Sequence, residues 1–280
     1  MKSVLYLVAT PIGNLEDITF RAVRILKEVD FIAAEDTRHT RKLLTHFDIH
    51  TPLIRYDENN KDIAGAQIIE RLQNGENAAC VSDAGLPAIS DPGADLVKLA
   101  IESNIKVVPI PGANAALSAL ICSGLDTTAF TFVGFLPKTS KNCHEVLEKI
   151  KSHEGTLIFY ESPHHLKSTL KMLLEILGNR KAVIARELTK IHEEFIRSNL
   201  ENLIIQFENN EPRGEFVIIV EGSSVNDVEQ IEYTQNNLIE LYQSFIDMGL
   251  DKKSAMRETA KRLNISRREV YNNILKTEDR

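Results

Sequence analysis

Cysteine is scarce in this chain, and the three present, Cys80, Cys122 and Cys143, lie far apart. An odd number at scattered spacing excludes a secreted disulfide framework and points to reduced thiols in a cytoplasmic protein. Nor do they pair at the close spacing that holds zinc. Long apolar runs are missing too. The apolar stretch at the N-terminus stops at Pro11, too short for the core of a signal peptide, and no run approaches a membrane span. Positive charge is in deficit: the formal net charge is -7 over 280 residues. Bulk electrostatics therefore do not favour nucleic acid, and any RNA binding has to use a local basic face.

Familiar catalytic signatures are absent as well. Neither the G-x-G-x-x-G dinucleotide fingerprint nor the G-x-x-x-x-G-K phosphate loop occurs. There is no G-x-S-x-G nucleophile elbow. The eight histidines contain no H-E-x-x-H pair, so no metal site is expected. His164 and His165 are adjacent and would point in different directions on a helix.

What the chain does contain is alternation. Apolar runs of strand length, Ser3 to Ala9, Phe31 to Ala34, Ala78 to Ser82 and Lys106 to Ile110, are separated by helical patterns. The first helix runs from Ile18 to Val29 with Asp17 as its expected cap; others cover Ile63 to Leu72 and Ala94 to Glu102. A second series follows a helix at Ala115 to Ser123. It has strands at Phe130 to Phe135, Thr156 to Tyr160, Ala182 to Arg186 and Glu215 to Val220, and helices at Lys141 to Lys151 and His164 to Leu177. This pattern predicts an α/β fold, with a largely parallel sheet in the first series. The length suits two such domains and an appendage, placed at 1–114, 115–228 and 229–280. The second boundary falls in the polar stretch Gly222 to Tyr233. The tail from Thr234 offers no strand and reads as three short helices. Asp251 caps one, Ser266 and Glu269 form a capping box, and Ala260, Leu263, Ile265, Val270 and Ile274 supply a small core. From Asp251 onward, nine basic residues against five acidic ones give a local charge of +4.

Three loops mix Gly, Pro and polar residues directly after strands, where open α/β sheets bind ligands. The first, Ala9 to Leu15, carries Pro11 and Gly13. The second, Ser82 to Gly93, holds Asp83 and Asp91, which can grip hydroxyls or an ammonium group or can simply cap turns. The third, Pro109 to Ala116, lets a flat ligand lie against the backbone and can equally serve as a hinge. Two further segments are rich in titratable groups. In Ala34 to Lys42, Asp36 or Thr37 can cap a helix, or the segment can form a substrate site. Tyr160 to His165 includes Glu161.

Six ordered stretches carry a family resemblance: V-A-T-P-I-G-N-L-E-D-I-T at 8–19, A-E-D-T-R-H-T-R-K-L-L at 34–44, S-D-A-G-L-P-A-I-S-D-P-G at 82–93, P-G-A-N-A-A-L-S-A-L at 111–120, F-V-G-F-L-P-K at 132–138 and Y-E-S-P-H-H-L at 160–166. Together they resemble the small-subunit ribosomal RNA methyltransferases of the tetrapyrrole methylase superfamily, over almost the whole chain. The resemblance implies two α/β domains of that type with a small all-helical C-terminal domain that binds RNA. It implies S-adenosyl-L-methionine in the cleft between the α/β domains, a homodimer, and transfer to the ribose 2′-oxygen of a decoding-region cytidine of 16S ribosomal RNA in the small ribosomal subunit.

By the same resemblance the donor contacts Pro11, Ser82, Asp83, Ala84, Gly85, Pro87, Asn114, Ala115, Glu161 and Leu188, with Gly13 in the first loop beside them. Asp36, Glu35 and Glu161, together with Asp83, are the candidate bases; each can instead bind substrate or cap a helix. Arg38, Arg41, Lys42 and Lys138 are candidate phosphate contacts, as are Arg267 and Arg268 in the tail. Two other readings remain open: a methyltransferase acting on a tetrapyrrole, and a non-catalytic RNA-binding protein. The basic tail speaks against the first. The crowded Asp-Gly-Pro loops speak against the second.

Overall fold

The computed structural model describes residues 3–208, 210–223, 235–263 and 265–278. Its first half forms a parallel sheet from β1 (Val4–Val8), β2 (Phe31–Ala34), β3 (Leu53–Arg55), β4 (Ala78–Val81) and β5 (Lys106–Ile110). Their order is β3-β2-β4-β1-β5. Strands that are covered on both faces need apolar residues at every position, and β2 and β4 are buried throughout. α1 (Phe20–Glu28), α2 (Thr37–His46), α3 (Lys61–Gln73) and α4 (Gly93–Glu102) supply the cover. Ile68 and Leu96 of α3 and α4 pack with Leu5 and Phe31 on one face. Leu26 and Leu44 of α1 and α2 pack with Val8 and Ile32 on the other.

The second half does not repeat the all-parallel arrangement of the first. α5 (Ala115–Ser123) leads into β6 (Phe130–Phe135), α6 (Ser140–Ile150), β7 (Thr156–Glu161), α7 (Leu166–Leu177), β8 (Lys181–Arg186), β9 (Glu194–Asn199), α8 (Leu200–Glu208) and β10 (Phe216–Val220). The sheet order is β6-β7-β10-β8-β9. Only β6 and β7 are parallel; the remaining pairs are antiparallel. The reason is connection length. The link between β8 and β9 is too short for the crossover of a dozen or more residues that parallel strands need. Leu147, Leu173 and Leu203 of α6, α7 and α8 pack on one face, against Phe159 and Ile218. Ala116, Ala119 and Leu120 of α5 pack on the other, against Ile158, Val183 and Ile219.

Both sheets belong to one compact unit, 1–150 with 155–221; a second unit comprises 151–154 and 222–280. The second holds α9 (Gln235–Asp247), α10 (Lys252–Arg262) and α11 (Arg267–Glu278) around Leu238, Tyr242, Ala255, Leu263 and Val270. Asp251 caps α10, accepting from the Lys253 and Ser254 amides at 2.9 Å. The box before α11 closes reciprocally: the Ser266 amide donates to Glu269 at 2.9 Å, and the Glu269 amide to Ser266 at 3.1 Å. The polar stretch 222–233 lies outside the described residues from 224 onward.

The expected cap of the first helix is corrected. Asp17 lies in a 3-10 turn, Leu15–Asp17, which Asn14 caps. α1 begins after Thr19, whose hydroxyl accepts from the Ala22 amide at 3.0 Å. Thr19→Ala is therefore expected to lower the unfolding free energy by about 1 kcal/mol, and Asp17→Ala by less than about 0.5 kcal/mol. Urea titration of the two variants checks this; the reverse ranking would restore Asp17 as the cap.

Candidate active site

Parallel strands place all their carboxyl ends at one edge of a sheet. Because β2, β4, β1 and β5 are consecutive neighbours, the loops that follow them form an unbroken row. Thr10, after β1, exchanges backbone hydrogen bonds of 2.9 and 3.0 Å with Gly85, after β4. Gly85 has φ +79°, a conformation a side chain strains. The loop after β5 closes against the first: a Cβ on Gly112 would lie 2.8 Å from that of Ala9. Asn114 then caps α5, accepting from the Leu117 amide at 2.9 Å.

Asp91 stabilises the long second loop from within. Its carboxylate accepts from the Gly93 amide at 2.7 Å, Ala88 at 2.9 Å and Ile89 at 3.3 Å. Of the two alternatives for Asp91, these contacts are those of turn capping.

The second sheet faces these loops within the same unit. The Ala116 amide donates to the Tyr160 hydroxyl at 3.2 Å, tying the start of α5 to the end of β7. Glu161 is buried, with both oxygens engaged: one accepts from the Ser162 amide at 2.7 Å, the other from the Thr169 hydroxyl at 2.6 Å. After β8 the chain turns sharply, and Glu187 and Thr189 both have positive φ. Lys190 donates to Glu187 at 2.8 Å and to Glu215 at 3.0 Å.

Between the loops and this second wall lies a cavity of about 620 Å³. Of the residues expected at the donor, Ser82, Asp83, Ala84, Gly85, Asn114, Ala115, Glu161 and Leu188 line it, as does Glu35. Pro11 and Gly13 line an adjoining cavity of about 480 Å³ instead, and Pro87 lines neither. Apolar walls come from Ile12, Leu86, Phe135 and Tyr160. Leu188 was expected at the donor and Glu215 at the start of a strand, but the tightness of the β8–β9 turn and the Lys190–Glu215 contact had no signal in the sequence, because β9 has no continuous apolar run to betray a strand.

Three of the four candidate bases differ in setting. The Glu35 carboxyl is raised above its usual range, first by burial and then by the neighbouring charge of Asp83, with Asp91 and Asp57 adding to it. Asp36 caps α2, accepting from the Arg38 amide at 2.8 Å, and pairs with the Arg38 guanidinium at 3.0 Å. Those bonds hold its carboxyl well below the ordinary carboxylate range. It lines neither cavity, so the capping alternative describes its geometry. Glu161 is spent on its two partners. Cys80 is fully buried and its thiol is pushed up to about 12, leaving no nucleophile there. Lys42 lines the adjoining cavity, while Arg38, Arg41 and Lys138 are exposed outside both, and Arg267 and Arg268 are exposed in the helical unit. Among the described residues, no cluster of His, Cys, Asp and Glu suits a metal ion.

Residues 4–204 match the model of the tetrapyrrole (corrin/porphyrin) methylases. The chain belongs to this family. Among curated relatives, ribosomal RNA small subunit methyltransferase I of Halalkalibacterium halodurans is 51% identical, over 97% of this chain and 94% of its own length. The protein of the same name in Bacillus subtilis is 50% identical, over 96% and 92%. Solved structures share the fold at low identity. Diphthine synthase superposes with a TM-score of 0.60 at 16% identity, over 79% of this chain and 91% of that one. Cobalt precorrin-4 methyltransferase gives 0.59 at 17%, over 78% and 94%. Uroporphyrin-III C-methyltransferase from Thermus thermophilus, complexed with S-adenosyl homocysteine, gives 0.56 at 18%, over 78% and 97%. No helix among the described residues of this family member is long and apolar enough to cross a membrane.

Two predictions follow from the site. Gly112→Val forces the third loop off the first and is expected to weaken donor binding at least tenfold. Calorimetry with S-adenosylhomocysteine reads this, and unchanged affinity in a folded variant refutes the loop contact. Glu35 gives a pH signature. A carboxyl raised in the folded state costs nothing below its unfolded value, near 4.5, and destabilises progressively as pH climbs through the folded value. Glu35→Gln should therefore melt above the parent protein at pH 8, with the gap closing as pH falls toward 4.5. A gap independent of pH would refute the shift.

Proposed function

We propose that the chain is an S-adenosyl-L-methionine-dependent methyltransferase acting on small-subunit ribosomal RNA, and that its target is the ribose 2′-oxygen of a decoding-region cytidine. Both relatives described above carry the name of a ribosomal RNA small subunit methyltransferase, at about half identity over nearly full length. The observation that carries the reading is the row of loops after β2, β4, β1 and β5, closing with the second sheet on one cavity.

The donor's chemistry fits that cavity. It has a sulfonium and an ammonium group, and the lining carries Glu35, Asp83 and Glu215. It has a flat base, and Phe135 and Tyr160 stand in the wall while Ala84, Gly85 and Ala115 leave backbone open. When bound, the donor supplies an electrophilic methyl group. The chain supplies position and a place for a proton. Ser82, Asn114, Ala115 and Leu188 hold the donor, with Pro11, Gly13 and Pro87 shaping the loops behind it. Glu161 fixes the end of β7. Between Glu35 and Asp36 the former is the better tuned, since a raised carboxyl is a stronger proton acceptor than a depressed one. Arg38, Arg41, Lys42 and Lys138 contact RNA phosphates, and Arg267 and Arg268 do so within the helical unit.

The protein is read as cytoplasmic, with the small ribosomal subunit as its partner, and as a homodimer. Leu117 and Ile121, one turn apart on α5, leave apolar side chains exposed on the described chain.

Calorimetric donor binding, followed by transfer of tritiated methyl to 16S ribosomal RNA with mapping of the 2′-O-methyl group, tests the function. Glu35→Gln is expected to lower turnover about a hundredfold, with donor affinity within about threefold of the parent. Methyl transfer to a precorrin and none to RNA would replace this reading with that of a tetrapyrrole enzyme.

A further inference from the structure

We propose that the adjoining cavity is the acceptor pocket, and that it holds one ribonucleotide of a single-stranded RNA segment, with Lys42 on its phosphate and Asp83 on its ribose hydroxyl. The inference rests on the donor reading and deepens it.

The two cavities share a partition. Ile12, Ser82, Asp83, Ala84 and Glu215 line both of them. Transfer between two substrates needs two pockets that meet, and these meet at one wall containing one turn of the second loop. The wall is held from both sides. Asp83 accepts from the Asp36 amide at 3.0 Å through one carboxylate oxygen, which fixes the side chain against the start of α2. Its other oxygen has no partner recorded in the described structure. A carboxylate oxygen in a wall between two cavities is an acceptor for a hydroxyl presented from either side.

The far wall of the second cavity is α2. His39 and Lys42 are three residues apart on it and both line the cavity. Lys42 is exposed and forms no ion pair among the described residues, whereas Arg38 pairs with Asp36. The pocket therefore has a cationic side and a carboxylate side, the polarity of a nucleotide with its phosphate at one end and its sugar hydroxyl at the other. The third side is the β8–β9 turn. Leu188 lines the first cavity and Lys190 the second, so the turn spans the partition. Glu187 and Thr189, flanking Leu188, are the strained positions of that turn, and strain of this kind persists where the surroundings enforce it. Gly13 completes the contact: a Cβ there would lie 2.5 Å from Lys190 Cγ and 3.1 Å from the Leu188 carbonyl.

The experiment measures binding rather than turnover. Fluorescence anisotropy follows a labelled single-stranded RNA of the target sequence, and the same oligonucleotide with 2′-deoxyribose at the target position, across a salt series. S-adenosylhomocysteine affinity is measured in parallel. The parent protein should prefer the ribose form about tenfold. Asp83→Asn should bring that preference to near unity. Lys42→Ala should weaken both oligonucleotides and lower the log–log salt slope by about 0.7. Lys98→Ala, on α4 and lining neither cavity, should change nothing. RNA affinity and salt slope indifferent to Lys42, or ribose preference undiminished in Asp83→Asn, would overturn the acceptor pocket while intact homologue binding leaves the donor cavity standing. A parent protein that fails to bind the homologue overturns both.

Discussion

Thr10 and Gly85 exchange a pair of backbone hydrogen bonds between the loops that follow β1 and β4. Much of the site depends on that pair. β1 and β4 are already locked side by side in the parallel sheet, but strand pairing ends at their last residues, and each loop beyond is free to diverge. The bridge carries the pairing past the end of the sheet. It sets Ile12 next to Ser82–Ala84, and those residues are the partition between the two cavities. The cost is a positive φ at residue 85, which glycine meets without strain. Gly112 then lets the loop after β5 close on Ala9. Three loops that are remote in sequence thereby become one rigid surface.

Charge is sorted across that surface. Carboxylates face inward: Glu35, Asp83, Asp91 and Glu215 all line the first cavity. Grouping them has a penalty, visible in Glu35, whose carboxyl burial and its acidic neighbours push upward. A cationic ligand relieves that penalty, and a phosphate deepens it. The first cavity therefore suits a sulfonium and repels a nucleic acid backbone. Lysine and arginine sit on the outer turns of α2, only a few residues beyond Glu35. An acidic protein can accept RNA in this way because the sign of the local field changes over one helical turn, well inside the screening distance of about 8 Å at physiological salt.

The strands of the first half were legible because burial on both faces demands unbroken apolar runs, as Phe31–Ala34 and Ala78–Val81 show. The same rule hides what is covered on one side only. β3 is three residues long, and β9, with the sequence EFIRSN, is an edge strand carrying Arg197 and three other polar side chains among its six positions. Missing β9 meant missing the tight turn before it, and with that the Lys190–Glu215 contact and the antiparallel character of the second sheet. The site was legible as loops and not as a geometry. Asp36 and Asp83 read alike in sequence, each an acidic residue just beyond a strand. Only the packing shows that Asp36 caps α2 and that Asp83 reaches the partition. Asp17 and Thr19 are a similar case: both are plausible caps two residues apart, and the 3-10 turn decides between them.

Backbone strain points to the same region by an independent route. Six non-glycine residues have positive φ among the described residues. Asp48 and Asn104 need no special account: each follows the end of a helix, α2 and α4, where a left-handed residue ends the run and Asp or Asn tolerates the conformation. Ala88, Ser90, Glu187 and Thr189 are different. None ends a helix, and alanine and threonine are poor choices for the left-handed region. At about 1 kcal/mol or more each, their cost is a sizeable fraction of a typical domain's net stability. Something must enforce them. For the first pair it is Asp91, which gathers three amides from the loop. For the second it is Lys190, held between Glu187 and Glu215 while Gly13 packs against its stem. Both devices border the cavities: Asp91 lines the first and Lys190 the second. The buried sheets on either side supply the stability from which such strain is drawn, so the rigid cores and the strained loops are two parts of one arrangement, in which two pockets are kept separate yet adjoining.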